Sequence, residues 1–221
     1  MIKRNEPDLL LYYHPLDSAS RNVLSVLDFL GLHVGKRLIN INLQEHKRSH
    51  FLSLNPNGEL PVLTSGRLVL WGAHAITQYL ASLRPGTVLW PEDPGARADI
   101  AKWQFWDATH LSVALNALSR EKKAHELQSQ GQVDPGAIEL ACQRFDRCAR
   151  ILNTHLSDRS WLSGSCISLA DLSVSSRLMH DARLDLSLHS YLHLQEWNLR
   201  VESVRKEAAR PVLLMAAETS R

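Results

Sequence analysis

Cysteine is scarce. The 221 residues hold three, Cys142, Cys148 and Cys166. That is too few for a disulfide framework and points to a reducing compartment. A charge excess is missing too. Lys plus Arg number 25 and Asp plus Glu 23, a formal balance of +2 that gives no electrostatic case for nucleic acid as the main partner. No apolar run approaches membrane-spanning length. Lys3 and Arg4 stand near the start, but Leu9 to Tyr13 is too short for a signal-peptide core and no cleavage site follows. Internal repeats and low-complexity segments are absent. The expectation is a cytoplasmic protein that acts without a membrane or nucleic acid. With 44% hydrophobic residues, the chain can bury a real core, in one large or two small domains.

What is present centres on Asn55 to Ala81, NPNGELPVLTSGRLVLWGAHAITQYLA. Asn55-Pro56-Asn57-Gly58 is a turn, because Asn and Gly accept left-handed backbone angles and Pro fixes φ. Leu60 to Leu63 is a short apolar strand with Pro61 near its entry, where a missing N–H costs no ladder bond. Thr64 to Arg67 predicts a hairpin turn and Leu68 to Trp71 the return strand. Ala73, Ala75, Ile76, Tyr79 and Leu80 then recur at helical spacing.

Upstream, Asp8 to Tyr13 predicts a buried strand and Ser20 a cap for the next helix. Val23, Val26, Leu27 and Leu30 form that helix's apolar face, and Gly31 stops it. A second strand is predicted over Arg37 to Asn42 and a polar helix over Gln44 to Leu54. A β-α-β unit, a hairpin and a closing helix give a small mixed sheet covered by helices. Arg84 to Gly95 is rich in Pro and Gly and reads as a linker. Beyond it strand signals stop. Helices are predicted over Ala98 to Gln128, along Ile138 to Leu152, and over Tyr191 to Ala209, ending before Pro211. Gly131 to Gly136 is a break, and Ser168 to Asp171 is a capping box.

These motifs resemble the glutathione transferase family. Its pattern is NPxGxxPxL, a turn, an apolar strand, then Glu-Ser-x-Ala-Ile-xxYL. LWPEDPGARADIAKWQFWDATHL and WLSG…SLAD extend the likeness to about Leu214. The resemblance implies an α/β thioredoxin-like domain over 1–84 and an all-α domain over 96–221. It also implies a cis Pro61, with the backbone of Leu60 facing a thiol ligand.

The resemblance further implies how the chemistry is divided. Glutathione or another low-molecular-weight thiol is the cosubstrate, and no metal takes part. His46 and Lys47 resemble the plant-type pair that holds the glycine carboxylate; the alternative is a solvated basic face. Gly72-Ala73 replaces the Glu-Ser pair that binds the γ-glutamyl end, and Glu59 replaces a neutral residue. His74 can supply a compensating bond or simply face solvent. Counting back from Arg21 to the hydroxyl position of Ser-type members lands on Asp17. Ser18 is the preferred activating hydroxyl, Ser20 stands behind it, and Tyr13 can reach the site. The alternative is that Asp17, Ser18 and Ser20 only make a turn and a cap. The electrophile is expected between the domains, with Trp103, Phe105, Trp106 and His110 as wall candidates, of which one or two face it. Cys142 and Cys148 sit at core spacing. His189 and His193 share a helix spacing but have no third ligand.

The implied function is transfer of a thiol, either glutathione or a non-γ-glutamyl thiol such as a cysteine derivative. The acceptor is an electrophilic small molecule, and the context is sulfur incorporation in specialised metabolism. A non-catalytic binding or scaffold protein and a thiol-dependent isomerase stand as alternatives. A homodimer is expected.

Overall fold

Leu9–Tyr13 forms β1, the strand on which the N-terminal sheet is built. It pairs in parallel with β2 (Gly35–Leu38) and antiparallel with β3 (Val62–Ser65). β4 (Leu68–Trp71) closes the order β2-β1-β3-β4. The computed structural model describes residues 8–126, 135–179 and 188–218. The chain divides into two compact units, Met1–Thr87 with Ala208–Arg221, and Val88–Glu207.

Side-chain alternation sorts the first sheet into two faces. Tyr12 and its register partner Val62 lie on one face, in a cluster with Ile39, Phe51, Leu54 and Leu60. Leu11 and its partner Leu63 belong to the other and are fully buried. Helices α1 (Ser18–Leu30) and α3 (Ala73–Ser82) pack on each other, and α3 also lies against β3 and β4. The arrangement is thioredoxin-like, and the Leu60–Pro61 bond is cis.

Three local expectations are corrected. Asp17, not Ser20, caps α1: its Oδ2 accepts the Ser20 N–H at 2.6 Å. Ser20 is fully buried, and its Oγ accepts the His14 N–H instead. β2 ends at Leu38, short of Asn42, because Asn40 turns the chain. Its N–H donates to Glu45 Oε2 and its Oδ1 accepts from Leu43 N–H, a local competitor to the ladder. The long polar helix breaks into a 3₁₀ turn at Glu45–Lys47 and a short α2 (Ser49–Leu52), because Arg48 between them is extended.

The second unit is helical. α4 (Pro94–Trp106) starts from an Asp93 cap with Pro at its first turn. It runs through a π segment, Asp107–Leu111, into α5 (Ser112–Glu126). α6 (Pro135–His155) and α7 (Leu169–Leu178) follow. The break expected at 131–136 falls mostly outside the described residues, and Pro135 already opens α6. α8 (Leu192–Glu218) continues past Pro211, since one proline removes one helical bond without forcing a stop. It also starts after His189, so His189 and His193 share no helix face.

The capping box of α7 forms, and it is also a core hub. Asp171 is fully buried. Its carboxylate accepts from Ser168 N–H, Ser168 Oγ, Leu162 N–H and Trp197 Nε1, all at 2.8–2.9 Å. Burial pushes its pKa up while these donors oppose the shift. Among the described residues no helix is long and apolar enough to cross a membrane.

Candidate functional site

The shelf before β3 is a closed hydrogen-bonded turn. Asn55, 2% exposed, donates from Nδ2 to Glu59 O at 2.8 Å and accepts from Asn57 N–H at 3.1 Å. Lys47 Nζ reaches over to Gly58 O at 3.0 Å and Asn57 O at 3.3 Å. Gly58 has φ +60°, and an added Cβ would lie 2.9 Å from His46 O, so only glycine fits. Glu59 is exposed, Leu60 half-buried against the Tyr12 face, and Pro61 buried.

The shelf changes how His46 and Lys47 read. The Lys47 ammonium already serves two turn carbonyls, so it is first a clamp on the shelf. An ammonium has three protons, which leaves one donor for a ligand. Burial, and then the neighbouring Lys47 charge, lowers the His46 pKa. The imidazole is therefore neutral at neutral pH, with its buried Nδ1 unpaired. It offers a hydrogen bond, not a charge.

The start of α3 is bare by contrast. Gly72 is the N-cap residue, with φ +86° and ψ 117° and no side-chain capping bond. Ala73 is buried and His74 half-buried. Neither Gly72 nor Ala73 carries a polar side-chain atom. Gly72 and Ala73 therefore add no side-chain cap to the first N–H groups of the helix, which carry its partial positive charge.

At the other expected position, Tyr13 ends β1 half-buried, and its carbonyl accepts from Ile39 N–H. Asp17 is engaged as the cap. Ser18 is the first residue of α1 and is half-buried. Of the three, Ser18 is the hydroxyl at a helix start where a thiolate would be favoured.

The helical unit contains a cavity of about 430 Å³ lined by the π segment, α5 and α6. Trp106 and His110 face it, their rings edge-on with centroids 6.1 Å apart. Trp103 does not. It is 7% exposed and packs on Trp106 and the His155 ring, so it is a core residue. Phe105 points outward, 71% exposed. The π segment widens the helix by one residue and carries Thr109 and His110 to the cavity. Buried Asp107, at its start, pairs with Arg177 Nε of α7 at 3.4 Å.

The remaining walls were not foreseen. Arg144, Arg147, Cys148 and Ile151 come from α6, and Val113 and Ala114 from α5. Only the i, i+3 spacing of Arg144 and Arg147 hinted at a shared face. Cys148 is buried as expected, whereas Cys142 is exposed. Among the described residues no group of His, Cys, Asp and Glu is placed to hold a metal.

Residues 7–82 match the family model of the glutathione S-transferase N-terminal domain. The chain is 27% identical to glutathione S-transferase GstB of Escherichia coli over 197 residues, 87% of this chain and 93% of that protein. Its fold is similar to the glutathione transferase URE2P8 of Phanerochaete chrysosporium, solved with oxidized glutathione. There the TM-score is 0.81 at 21% identity, covering 99% of each chain. It is also similar to the nitrogen regulation fragment of the yeast prion protein Ure2p, with TM-score 0.80 at 22% identity over 92% of this chain and 96% of that one.

Proposed function

Because the chain belongs to the glutathione S-transferase family, we propose that it transfers a small thiol to an electrophile, with a thiol donor not held by a γ-glutamyl group. The carrying observation is the bare start of α3. Gly72 and Ala73 cannot bind an ammonium or donate a hydroxyl, yet the helix N-terminus still favours a carboxylate. Each lost charge-assisted bond is worth about 1.5–3 kcal/mol, so two weaken glutathione by roughly a hundredfold or more. A carboxylate-bearing thiol such as a cysteine derivative loses nothing there. Exposed Glu59 repels a second carboxylate and favours the smaller donor. Sulfur incorporation in specialised metabolism is the role such a donor suits.

In this reading Ser18 donates to the sulfur and favours the thiolate, the nucleophile. Asp17 holds the helix on which Ser18 sits, and Tyr13 borders the site. Leu60 and Pro61 form the shelf, His46 and Lys47 its outer wall, and His74 stands beside the bare helix start. The protein works in the cytoplasm as a two-fold dimer. Exposed Leu68, Val69 and Trp71 on edge strand β4 are apolar surface available for the contact. Light scattering tests the dimer.

The deciding experiment compares initial rates with glutathione and with cysteine-type thiols against one nitroaryl halide. Saturable turnover with cysteine-type thiols at lower concentrations than glutathione supports the proposal. Saturation by glutathione at micromolar levels overturns the altered donor. A non-catalytic role is the second reading. It is favoured by Asp17 and Ser20 being committed to the cap and loop, and by the regulatory fragment among the similar folds. It stands if no thiol is consumed. Return of the thiol unchanged, with a rearranged product, identifies an isomerase.

A further inference from the structure

His155, the last residue of α6, is held on three sides. Its Nε2 lies 3.0 Å from Leu162 O, and its Nδ1 lies 3.0 Å from Arg159 Nη1. A guanidinium has donors only, so Nδ1 accepts and Nε2 carries the proton that goes to Leu162 O. Both contacts are satisfied together only by the neutral ring. The third side is the Trp103 ring of α4, with centroids 4.6 Å apart. The indole N–H of Trp103 is buried without a partner, so packing alone holds that ring.

The charges around the imidazole come from several elements. From α4, Asp99 pairs with Lys102, whose Nζ also stands 5.6 Å from the Trp103 ring centroid. The Asp99 carboxyl lies below the ordinary carboxylate range. Burial works against this, and the bonds from Lys102 and Ser163, with the charges of Lys102 and His155, outweigh it. Arg159 comes from the connection between α6 and α7. Arg200 of α8 and Asp171 of α7 fasten that connection further on, at Ser160 O and Leu162 N–H. Before it, Ser157 Oγ donates to Thr154 O. Between these anchors, exposed Asp158 and Arg159 are tied down by the contact of Arg159 with His155.

We propose that His155 and Arg159 form a pH-sensitive latch on the connection between α6 and α7. The neutral imidazole holds Arg159 in place. A proton taken from solvent at Nδ1 sets an N–H against the guanidinium N–H groups, which removes the hydrogen bond and brings like charges together. Asp158 and Arg159 then swing away. Nε2–H keeps its bond to Leu162 O, and the imidazolium stays against the Trp103 ring, where a cation is favoured.

Imidazole nitrogen NMR of the full chain reads the ring directly, with His155 assigned through its contact with the Trp103 ring protons. At the basic end of its titration the ring is expected as the Nε2–H tautomer. The Arg159 guanidinium proton signals, slowed by the bond, are expected to broaden away with the same midpoint as the ring. Trypsin gives a second readout, since it cuts after Arg159 once that side chain is released. In His155→Gln the amide keeps one neutral acceptor and one neutral donor. At about pH 8 the unaltered protein and this variant are therefore expected to be cut at Arg159 at equal rates. At about pH 5.5 the unaltered protein is expected to be cut about three- to tenfold faster than the variant, the weight of one hydrogen bond. Taking the ratio at each pH removes trypsin's own pH dependence. A ratio that is the same at both pH values overturns the latch. So does an Nδ1–H tautomer, or a set of Arg159 signals that ignores the titration of the ring. The NMR outcomes use the unaltered protein alone and decide the matter even where His155→Gln fails to fold.

Discussion

Two helix starts in this protein solve the same electrostatic problem in opposite ways. At α7 the Ser168 hydroxyl and the Asp171 carboxylate close the free N–H groups, and Asp171 also gathers Leu162 N–H and Trp197 Nε1. At α3 the N-cap residue is Gly72, and nothing from its side chain closes the helix. Uncapped N–H groups are ordinarily answered by side chain, water or ligand. The closed start therefore works for stability. The open one has no such side-chain cap, and the proposed reading places the thiol's carboxylate there.

The sharpest test of the closed end is Asp171→Ala. It strands four buried donors and removes half of the capping box, with an expected loss of about 3–5 kcal/mol in denaturant unfolding. In a chain of this length that lowers Tm by roughly 10 °C. A loss below about 1 kcal/mol would show that water replaces the carboxylate, and the contrast between the two starts would weaken. The open end is tested by the reverse change, Gly72→Glu with Ala73→Ser. Restoring both side chains is expected to lower KM for glutathione on the order of a hundredfold. Stability falls by about 1–3 kcal/mol, because φ +86° suits glycine and strains glutamate. An unchanged KM in a folded variant would mean that the missing pair is not what sets donor choice.

Both starts were partly legible in the sequence. Ser168 to Asp171 announces itself by spacing, and the Gly72-Ala73 gap is visible against the pattern around it. The Asn55–Gly58 turn and the span of β4 from Leu68 to Trp71 also read directly, because their residue types constrain the backbone locally. The cap of α1 did not. Asp17, Ser18 and Ser20 are all good caps, and which one serves depends on where the chain leaves β1. The end of β2 was hidden for a similar reason, since Asn40 and Glu45 bond across a turn that no periodicity marks. The π segment has no sequence signature at all. Arg144 and Arg147 look like any solvated helix face until Trp106 of α4 and Val113 of α5 line the same cavity. A gap in the family's pattern is read from two residues, whereas a pocket needs three elements in place.

The start of α1 lies between the two extremes, with a closed cap and a neighbouring hydroxyl. Replacing Asp17 by Ala is expected to cost about 1 kcal/mol in thermal or denaturant unfolding, the usual value of an N-cap. Replacing Ser18 by Ala is expected to leave stability within about 0.5 kcal/mol, as for substitutions away from caps and cores. It is expected to lower kcat/KM roughly ten- to hundredfold, the weight of one hydrogen bond to a charged sulfur. The pH-rate profile separates the roles: without Ser18 the acidic limb moves toward the ordinary thiol pKa, whereas Asp17→Ala leaves its midpoint in place. If the two variants exchange effects, Asp17 is the activating group and α1 resembles α3 more than α7.

The smallest effect belongs to a polar atom in the shelf, the buried His46 Nδ1. Its pKa is lowered from 6.5 by burial, with the Lys47 charge adding to it. A depressed histidine pKa means that the unfolded chain binds the proton more readily than the folded one. Stability from this group is therefore complete above 6.5 and is lost as pH falls through the lower folded value. His46→Gln should flatten that acid limb of the Tm profile. Binding has the opposite sign: a carboxylate beside His46 favours the imidazolium, so thiol affinity should rise over the same interval as stability falls. Parallel Tm and affinity profiles for the unaltered protein and His46→Gln check both signs. If His46→Gln flattens the stability profile but leaves the affinity profile intact, the imidazole belongs to the closed shelf with Lys47. The proposed carboxylate site then reduces to the start of α3.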